Sequence, residues 1–296
     1  MKKKMALLAI TVLLISGCRA GQTPENSDAG KLRVASSFYP LTEFANQIGR
    51  DRVSVITITQ AGVEPHDYEP SARDIEKVKS AEVFLFNGAG LDPWAEKIKP
   101  DLEKEGIAAV EMAKNFQLMD GDPHIWLDPI LAIKQVEIIR DALSKADPEN
   151  ASYYVENAGA YSASLTALDE KFRNGLRDCR LRESIVSHDA FRYLAKKYNI
   201  NFTAISGFSP ADDPSLRRIG ELAALAKEKN IKFIFFETLV SPDLAETIAN
   251  ETGAQTLVLN PLEGLTSEEE AEGKNYISIM EENLDNLRKA NECSMQ

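Results

Sequence analysis

Residues 149–177 read ENASYYVENAGAYSASLTALDEKFRNGLR, a stretch without proline. Its apolar and aromatic side chains recur at steps of three and four residues, at Tyr154, Ala158, Tyr161, Leu165, Leu168, Phe172 and Leu176. This spacing places them on one face of an α-helix. We predict one amphipathic helix of about 29 residues, roughly 43 Å long at 1.5 Å per residue. Two helices that meet near Gly159 are the alternative, because glycine weakens a helix.

Strand-like and helix-like segments alternate on both sides of this helix. Strand-like segments precede it at 32–38, 53–59, 82–88 and 107–112, and follow it at 184–187, 202–206, 231–237 and 256–260. Helix starts between them are indicated by a Ser71–Asp74 capping box and by Asp128-Pro129 and Asp213-Pro214. Such alternation is typical of parallel sheets covered by helices. The predicted fold is therefore α/β, with two β/α lobes joined by one long helix and a ligand site in the cleft between them.

The amino terminus reads MKKKMALLAITVLLISGC, with three lysines, an apolar run and a cysteine. This pattern predicts a secretory signal peptide that is too short to span a membrane. The Ile15–Cys18 ending resembles a bacterial lipobox, so we expect Cys18 to be lipidated; a plain signal peptide is the alternative. The chain would then be exported and anchored by lipid to the outer face of the bacterial cytoplasmic membrane.

These signals divide the chain into five segments. They are a signal peptide at 1–17, a lipidated cysteine with a flexible tether at 18–31, a first lobe at 32–147, the linking helix at 148–178 and a second lobe at 179–296. The tether is polar and has no apolar periodicity. The length beyond it is sufficient for two domains.

The charge and the cysteines restrict the function further. Asp and Glu number 46 against 34 Lys and Arg, and loss of the signal peptide removes three of the lysines. Such an acidic surface argues against a nucleic-acid partner, because phosphates require cationic groups. Cys179 and Cys293 are the cysteines beyond Cys18. In an exported protein they are more consistent with one disulfide than with two free thiols.

The chain contains three histidines, His66, His124 and His188. Each lies at or near the carboxyl end of a predicted strand, where open parallel sheets bind ligands. A hydrogen-bonded structural role is the ordinary explanation for any one of them. The location of all three histidines at sheet edges that bind ligands favours a metal site instead. Imidazole is a common zinc ligand. Pro65 and Pro123 precede two of the histidines and restrict their backbone.

Several motifs carry a resemblance to a known family. In chain order they are FYPLTEFANQIG, VEPHDYEPSARDIEKV, FNGAGLDPW, DPHIWLDP, VSHDAFRYLAKKYN and LNPLEGLTSEEE. Together they resemble the metal-specific solute-binding proteins of ABC-type zinc and manganese importers, over residues 32–290. The resemblance implies two β/α lobes bridged by one long helix, a metal buried between them, and delivery of that metal to a membrane permease.

The resemblance also implies a set of metal ligands. His66 and His124 match the two histidines of the first lobe. The third position is histidine in zinc-binding members and glutamate in many manganese-binding members, and here it is His188. Glu263 matches the fourth, acidic position, although an exposed acid with water on the metal is the alternative. The acidic run 268–270 that follows is expected to be exposed. The cargo is therefore expected to be Zn²⁺, with Mn²⁺ less favoured.

One feature departs from the family pattern. Zinc-binding members often carry a long loop rich in His and Asp before the second histidine, and residues 115–122 leave no room for it. Asp189 and Glu237 lie near the predicted site and are candidates for orienting an imidazole. A helix N-cap is the alternative for Asp189.

Two functions of other classes remain as alternatives. A zinc hydrolase needs an open metal position for water, which Glu263 would close, and the sequence has neither HExxH nor GxSxG. We therefore predict that the protein is not an enzyme. A surface adhesin with a structural metal is the other alternative, because a lipoprotein is displayed outward. The predicted partners are an ABC-type permease and a lipid bilayer, with the protein itself a monomer.

Overall fold

The computed structural model describes residues 30–212 and 214–294. The predicted signal peptide, Cys18 and nearly all of the tether lie outside these residues, as does Asp213. Within the described ranges, no helix combines the length and the apolar character that crossing a bilayer requires.

The first lobe is built on a parallel sheet of β1 (Leu32–Ser36), β2 (Val53–Thr57), β3 (Val83–Phe86) and β4 (Ala108–Glu111), in the order β2-β1-β3-β4. Its helices are α1 (Tyr39–Gly49), α2 (Ala72–Lys79), α3 (Pro93–Lys104) and α4 (Pro129–Ala146). β3 is buried along its whole length, as expected for a central parallel strand covered on both faces.

The linking helix α5 runs from Ala151 to Gly175 and is continuous through Gly159. The prediction of a single helix is confirmed. At 25 residues it is shorter than predicted, because Pro148–Asn150 forms a separate 3₁₀ turn and the helix ends before Leu176. The stripe that includes Tyr161, Leu165 and Phe172 is buried.

The second lobe repeats the strand order of the first. Its parallel sheet contains β5 (Glu183–Val186), β6 (Asn201–Ala204), β7 (Phe233–Phe236) and β8 (Gln255–Val258), in the order β6-β5-β7-β8. Its helices are α6 (Arg192–Tyr198), α7 (Leu216–Lys229), α8 (Asp243–Thr252), α9 (Ser267–Ala271) and α10 (Tyr276–Ala290). The predicted α/β class with two lobes is confirmed.

Some of the observed helix caps are the predicted ones and others are not. The Ser71–Asp74 capping box is present at α2, and Asp128 caps α4 by accepting from the Ile130 N–H at 2.8 Å. The cap of α7 is Ser215, two residues after the predicted Asp213, and it accepts from the Arg218 N–H. The acidic run 268–270 is not wholly exposed, because Glu269 forms a capping box with Thr266 and is buried.

Both lobes share one hydrophobic core with the linking helix. Phe44 of α1 packs against Tyr161 of α5 and Tyr276 of α10, with ring centroids 6.0 and 5.2 Å away. Phe172 stacks on Tyr198 of α6 at 5.1 Å. A change in the angle between the lobes would therefore disturb close-packed aromatic contacts.

A disulfide joins Cys179 to Cys293, which are 114 positions apart. The two residues also form an isolated antiparallel backbone bridge. The bond ties the end of the described chain to the start of the second lobe, directly after the linking helix.

Candidate metal site

The site lies between the two sheets, at the carboxyl ends of their strands. His66 lies in the loop from β2 to α2, and His124 lies just before the 3₁₀ turn Ile125–Leu127 that leads into α4. His188 follows β5, and Glu263 lies in the loop from β8 to α9. Each lobe thus contributes two of the four side chains, and the structure brings all four together.

The four donor atoms lie within 4.8 Å of one another, and five of their six separations are nearly equal. His124 Nε2 is 3.2 Å from both His66 Nε2 and His188 Nε2. Glu263 Oε1 is 3.2, 3.1 and 3.2 Å from the Nε2 atoms of His66, His124 and His188. A metal about 2.0–2.1 Å from each corner of a tetrahedron requires edges of about 3.3–3.4 Å. The arrangement therefore fits a small tetrahedral cation such as zinc.

All four donors are shielded from water. The side chains of His124, His188 and Glu263 are fully buried, and that of His66 is 6% exposed. His66 therefore lies on the accessible side of the site. A cation bound here would be held by protein atoms in a low-dielectric environment, where each ligand–metal interaction is strong.

Two buried carboxylates fix the orientation of two imidazoles. His124 Nδ1 lies 2.7 Å from Asp122 Oδ1, and His188 Nδ1 lies 2.6 Å from Glu237 Oε1. An Nδ1–H donated to a carboxylate leaves the Nε2 lone pair free, and this is the tautomer that a metal requires. Sequence reasoning proposed Glu237 but assigned no role to Asp122.

The same arrangement of an acid and a histidine occurs twice in the first lobe. Asp122 accepts the backbone N–H of His124 at 2.9 Å, and Glu64 accepts that of His66 at 3.1 Å. In both places an acid stands two residues before the histidine, with a proline between them. The shared acid-Pro-His pattern was the signal in the sequence that could have identified Asp122 and Glu64.

The charged side chains of the site alter one another's protonation. Burial alone would lower the pKa of His188, but the charges and hydrogen bonds of Glu237 and Glu263 raise it well above the usual value. Burial likewise opposes a rise at His124, yet Asp122 and Glu263 raise its pKa. The pKa of Glu263 falls well below its usual range, because the imidazoles outweigh its burial. Burial and then the charge of Glu263 raise the pKa of Glu64 to about 9.

Asp189 has neither of its predicted roles. Its carboxylate accepts from Arg192 Nε at 2.8 Å, and it makes no hydrogen bond to an imidazole within the described ranges. It is not the N-cap either, because α6 begins at Arg192 and its cap position is Phe191. The side chain of Asp189 stabilises the turn after His188 through this ion pair.

Backbone geometry directs Glu263 into the cleft. Leu262, the residue before it, has a φ of 59°, in the left-handed region. Asn260 stabilises this turn by accepting the Leu262 N–H at 2.8 Å. Trp126, close to His124 in the first lobe, donates its Nε1–H to Pro261 O at 2.7 Å. This bond connects the loop that carries Glu263 to the segment that carries His124.

Aromatic side chains enclose the site. The Trp126 ring lies 5.2 Å from that of His124, and Phe38 packs edge-on against Trp126 at 4.8 Å. The Phe208 ring of the second lobe lies 6.5 Å from that of His124, and the Arg192 guanidinium lies over the Phe208 ring, 4.7 Å from its centroid. These contacts provide the apolar surroundings that keep water from competing for the donors.

Residues 34–290 match the family model of the zinc-uptake complex component A, periplasmic. The chain belongs to this family. It is 37% identical over 303 residues to the high-affinity zinc uptake system protein ZnuA of Bacillus subtilis, with 95% of each chain covered. It is 37% identical over 308 residues to the zinc-binding lipoprotein AdcA of Streptococcus pneumoniae, where the match covers 97% of this chain and 61% of the relative.

Solved structures agree with this membership. The Zn(II)-bound ZnuA-like domain of S. pneumoniae AdcA aligns with a TM-score of 0.80 at 40% identity, covering 88% of this chain and 99% of the domain. The laminin-binding protein Lmb of Streptococcus agalactiae, described as bifunctional with adhesin and metal-transporting activity, aligns with a TM-score of 0.80 at 31% identity. That alignment covers 88% of this chain and 99% of Lmb. Members of the family are thus extracytoplasmic components of metal-uptake complexes.

Proposed function

We propose that this protein captures Zn²⁺ outside the cytoplasmic membrane and delivers it to an ABC-type permease. The observation that carries the proposal is the cluster of three imidazole nitrogens and one carboxylate oxygen that lie within 4.8 Å of one another between the lobes. The name of the B. subtilis relative and the Zn(II)-bound state of the pneumococcal domain support zinc as the cargo. Manganese is less favoured, because it prefers more oxygen ligands and a higher coordination number.

In this proposal His66, His124, His188 and Glu263 are the ligands, and Asp122 and Glu237 orient two of the imidazoles. Glu263 occupies the fourth position, which a zinc hydrolase would leave to water. We therefore propose binding rather than catalysis. The protein acts as a monomer in this scheme, since each lobe of one chain supplies two of the ligands.

The role of Glu263 can be measured directly. Glu263→Ala should weaken zinc binding by about 10- to 100-fold, because one anionic donor is lost while three imidazoles remain. Competition with a chromogenic zinc chelator at one pH gives the affinity, and mass spectrometry gives the metal content of the purified protein. Asp189→Asn is the matched control: its carboxylate binds Arg192, so its zinc affinity should stay within about twofold of wild type. Equal affinities for Glu263→Ala and wild type would remove Glu263 from the ligand set.

Lipid anchoring through Cys18 is a further part of the proposal, and the lipoprotein name of pneumococcal AdcA supports it. Cys18→Ala should abolish lipidation, so that the protein is found as precursor or released into the medium. Membrane fractionation of cells that express each form measures this. Unchanged membrane retention of the variant would refute the anchor.

Adhesion is a second candidate function. It is favoured by one observation, the structural similarity to Lmb, whose described activities include adhesion. Growth rescue by zinc and attachment to a laminin-coated surface, measured on the same deletion strain, would separate the two functions.

A further inference from the structure

The loop that carries Glu263 is held from across the cleft. Trp126 of the first lobe donates its Nε1–H to Pro261 O at 2.7 Å. The backbone N–H of Gly62, also in the first lobe, donates to Leu265 O at 2.7 Å. These two bonds lie on either side of Glu263 in the chain. The first lobe therefore fixes both arms of a loop that belongs to the second lobe.

Both donors come from segments that also carry candidate metal ligands. Gly62 lies four residues before His66, in the loop from β2 to α2. Trp126 lies two residues after His124 and is fully buried. The position of the acidic ligand is thus linked by hydrogen bonds to the segments that position two of the imidazoles.

Trp126 is itself fixed by its surroundings. Tyr276, at the start of α10, is fully buried and donates its hydroxyl to Trp126 O at 2.6 Å. The Phe38 ring packs edge-on against the Trp126 ring at 4.8 Å. These contacts leave the indole little freedom, so its N–H stays directed at Pro261 O.

The loop needs support because its backbone is strained. Leu262 has a φ of 59°, in the left-handed region that residues with a Cβ rarely adopt. Strained residues persist only where the surrounding structure holds them. Asn260 gives this support from within the second lobe by accepting the Leu262 N–H at 2.8 Å, and Trp126 gives it from the first lobe through the buried Pro261 carbonyl. Without the indole N–H, the loop can relax to conformations in which Glu263 turns away from the imidazoles.

We propose that Trp126 is a positioning residue for zinc binding and that it acts through Glu263. The inference rests on the proposed function, in which Glu263 is the fourth ligand. With the indole bond in place, the loop holds the carboxylate in position before zinc arrives. Without the bond, only a fraction of the molecules hold it there, and the apparent affinity falls in proportion to that fraction. The effect cannot exceed that of removing Glu263, because it reaches zinc through this carboxylate alone.

Trp126→Phe removes the indole N–H and keeps an aromatic ring. It should weaken zinc binding by about 3- to 10-fold, the order expected when a buried carbonyl loses its donor. Trp94→Phe makes the same change at the other tryptophan of the chain, which packs on Phe84 in a separate part of the first-lobe core. This control should stay within about twofold of wild type. Competition with a chromogenic chelator measures each affinity. Unchanged affinity of Trp126→Phe, beside a weakened Glu263→Ala, would overturn the inference and leave the proposed function intact.

A double variant distinguishes positioning of Glu263 from a packing effect on His124. The Trp126 ring lies 5.2 Å from that of His124, so a packing effect would reach zinc through that imidazole instead. In the Glu263→Ala background, Trp126→Phe should change the affinity by less than about twofold, because the carboxylate that it positions is absent. A loss as large as that in the wild-type background would show that Trp126 acts through His124, contrary to the inference.

Hydrogen exchange of the Trp126 indole N–H tests the same link without a change at Trp126. Coupling between the indole bond and zinc is reciprocal, so saturating zinc should slow this exchange by about 3- to 10-fold relative to the metal-free chain. NMR follows the indole signals, and Trp94→Phe assigns them. In Glu263→Ala, zinc should no longer slow the exchange. Equal rates with and without zinc in the wild-type protein would contradict the inference, whereas wild-type zinc affinity of Glu263→Ala would refute the ligand assignment on which it rests.

Discussion

Replacing His124 with alanine is expected to weaken zinc binding by about 100-fold or more. A tetrahedral structural zinc site is worth about 10–16 kcal/mol over four ligands, so one ligand contributes roughly 3 kcal/mol, or about a factor of 100. His124 is fully buried, and its Nε2 lies within 3.2 Å of the donor atoms of His66, His188 and Glu263. Its loss also leaves the Asp122 carboxylate buried without its imidazole partner, which adds a cost to the folded state.

Asp122→Asn is the matched variant for this experiment. It keeps the imidazole but replaces the carboxylate that accepts from its Nδ1–H, so a smaller loss of about 10- to 100-fold is expected. Competition with a chromogenic chelator gives both affinities, and thermal unfolding of the metal-free proteins shows whether each variant is folded. A His124→Ala protein that binds zinc within threefold of wild type would exclude His124 as a ligand.

Replacing His188 with glutamate should weaken zinc strongly and change the relative preference for manganese. The variant exchanges a nitrogen donor for an oxygen donor, which manganese prefers. It also places a new carboxylate beside Glu237. In the wild-type protein the Oε1 of Glu237 lies 2.6 Å from His188 Nδ1. Two adjacent buried carboxylates repel each other. The single variant should therefore bind both metals less tightly than a site without the neighbouring Glu237 carboxylate would.

The double variant His188→Glu/Glu237→Gln removes this repulsion. It should recover manganese affinity relative to the single variant while zinc remains weak, because the third imidazole is still absent. Titration of each metal by isothermal calorimetry, at one pH, gives the ratio of the two affinities for wild type and both variants. An unchanged ratio in both variants would show that His188 does not set the choice of metal.

The local patterns of the sequence were sufficient for the fold. Helical spacing predicted α5 as one helix, although it begins at Ala151 after a separate turn. Alternation of strand and helix signals predicted two parallel sheets. The spacing of apolar residues along an element indicates which side chains are buried, and burial of apolar surface drives the packing of the helices on the sheets. The cap of α7 was misplaced, because Asp213-Pro214 and Ser215 offer competing helix starts within three residues.

The supporting residues of the site were harder to predict, because their partners are distant in the chain. Pairing of Ile185 with Ile234 places β5 beside β7 in register, so His188 and Glu237, each three residues further on, emerge at the same level of the sheet. Nothing in either segment alone specifies that register. Asp189 was a plausible candidate by proximity in sequence, but its turn directs the carboxylate to Arg192 instead.

The sequence by itself determined the α/β fold, the linking helix, and the identity of the four candidate ligands through the positions of three histidines and one family motif. Only the tertiary structure decided that these four donors lie within 4.8 Å of one another, with five of their six separations at 3.1–3.2 Å, and that Asp122 and Glu237 hold two of the imidazoles. The physical reason is that periodicity encodes burial and local conformation, which act over a few residues. Ligand geometry depends on how two lobes and the left-handed turn at Leu262 pack against each other.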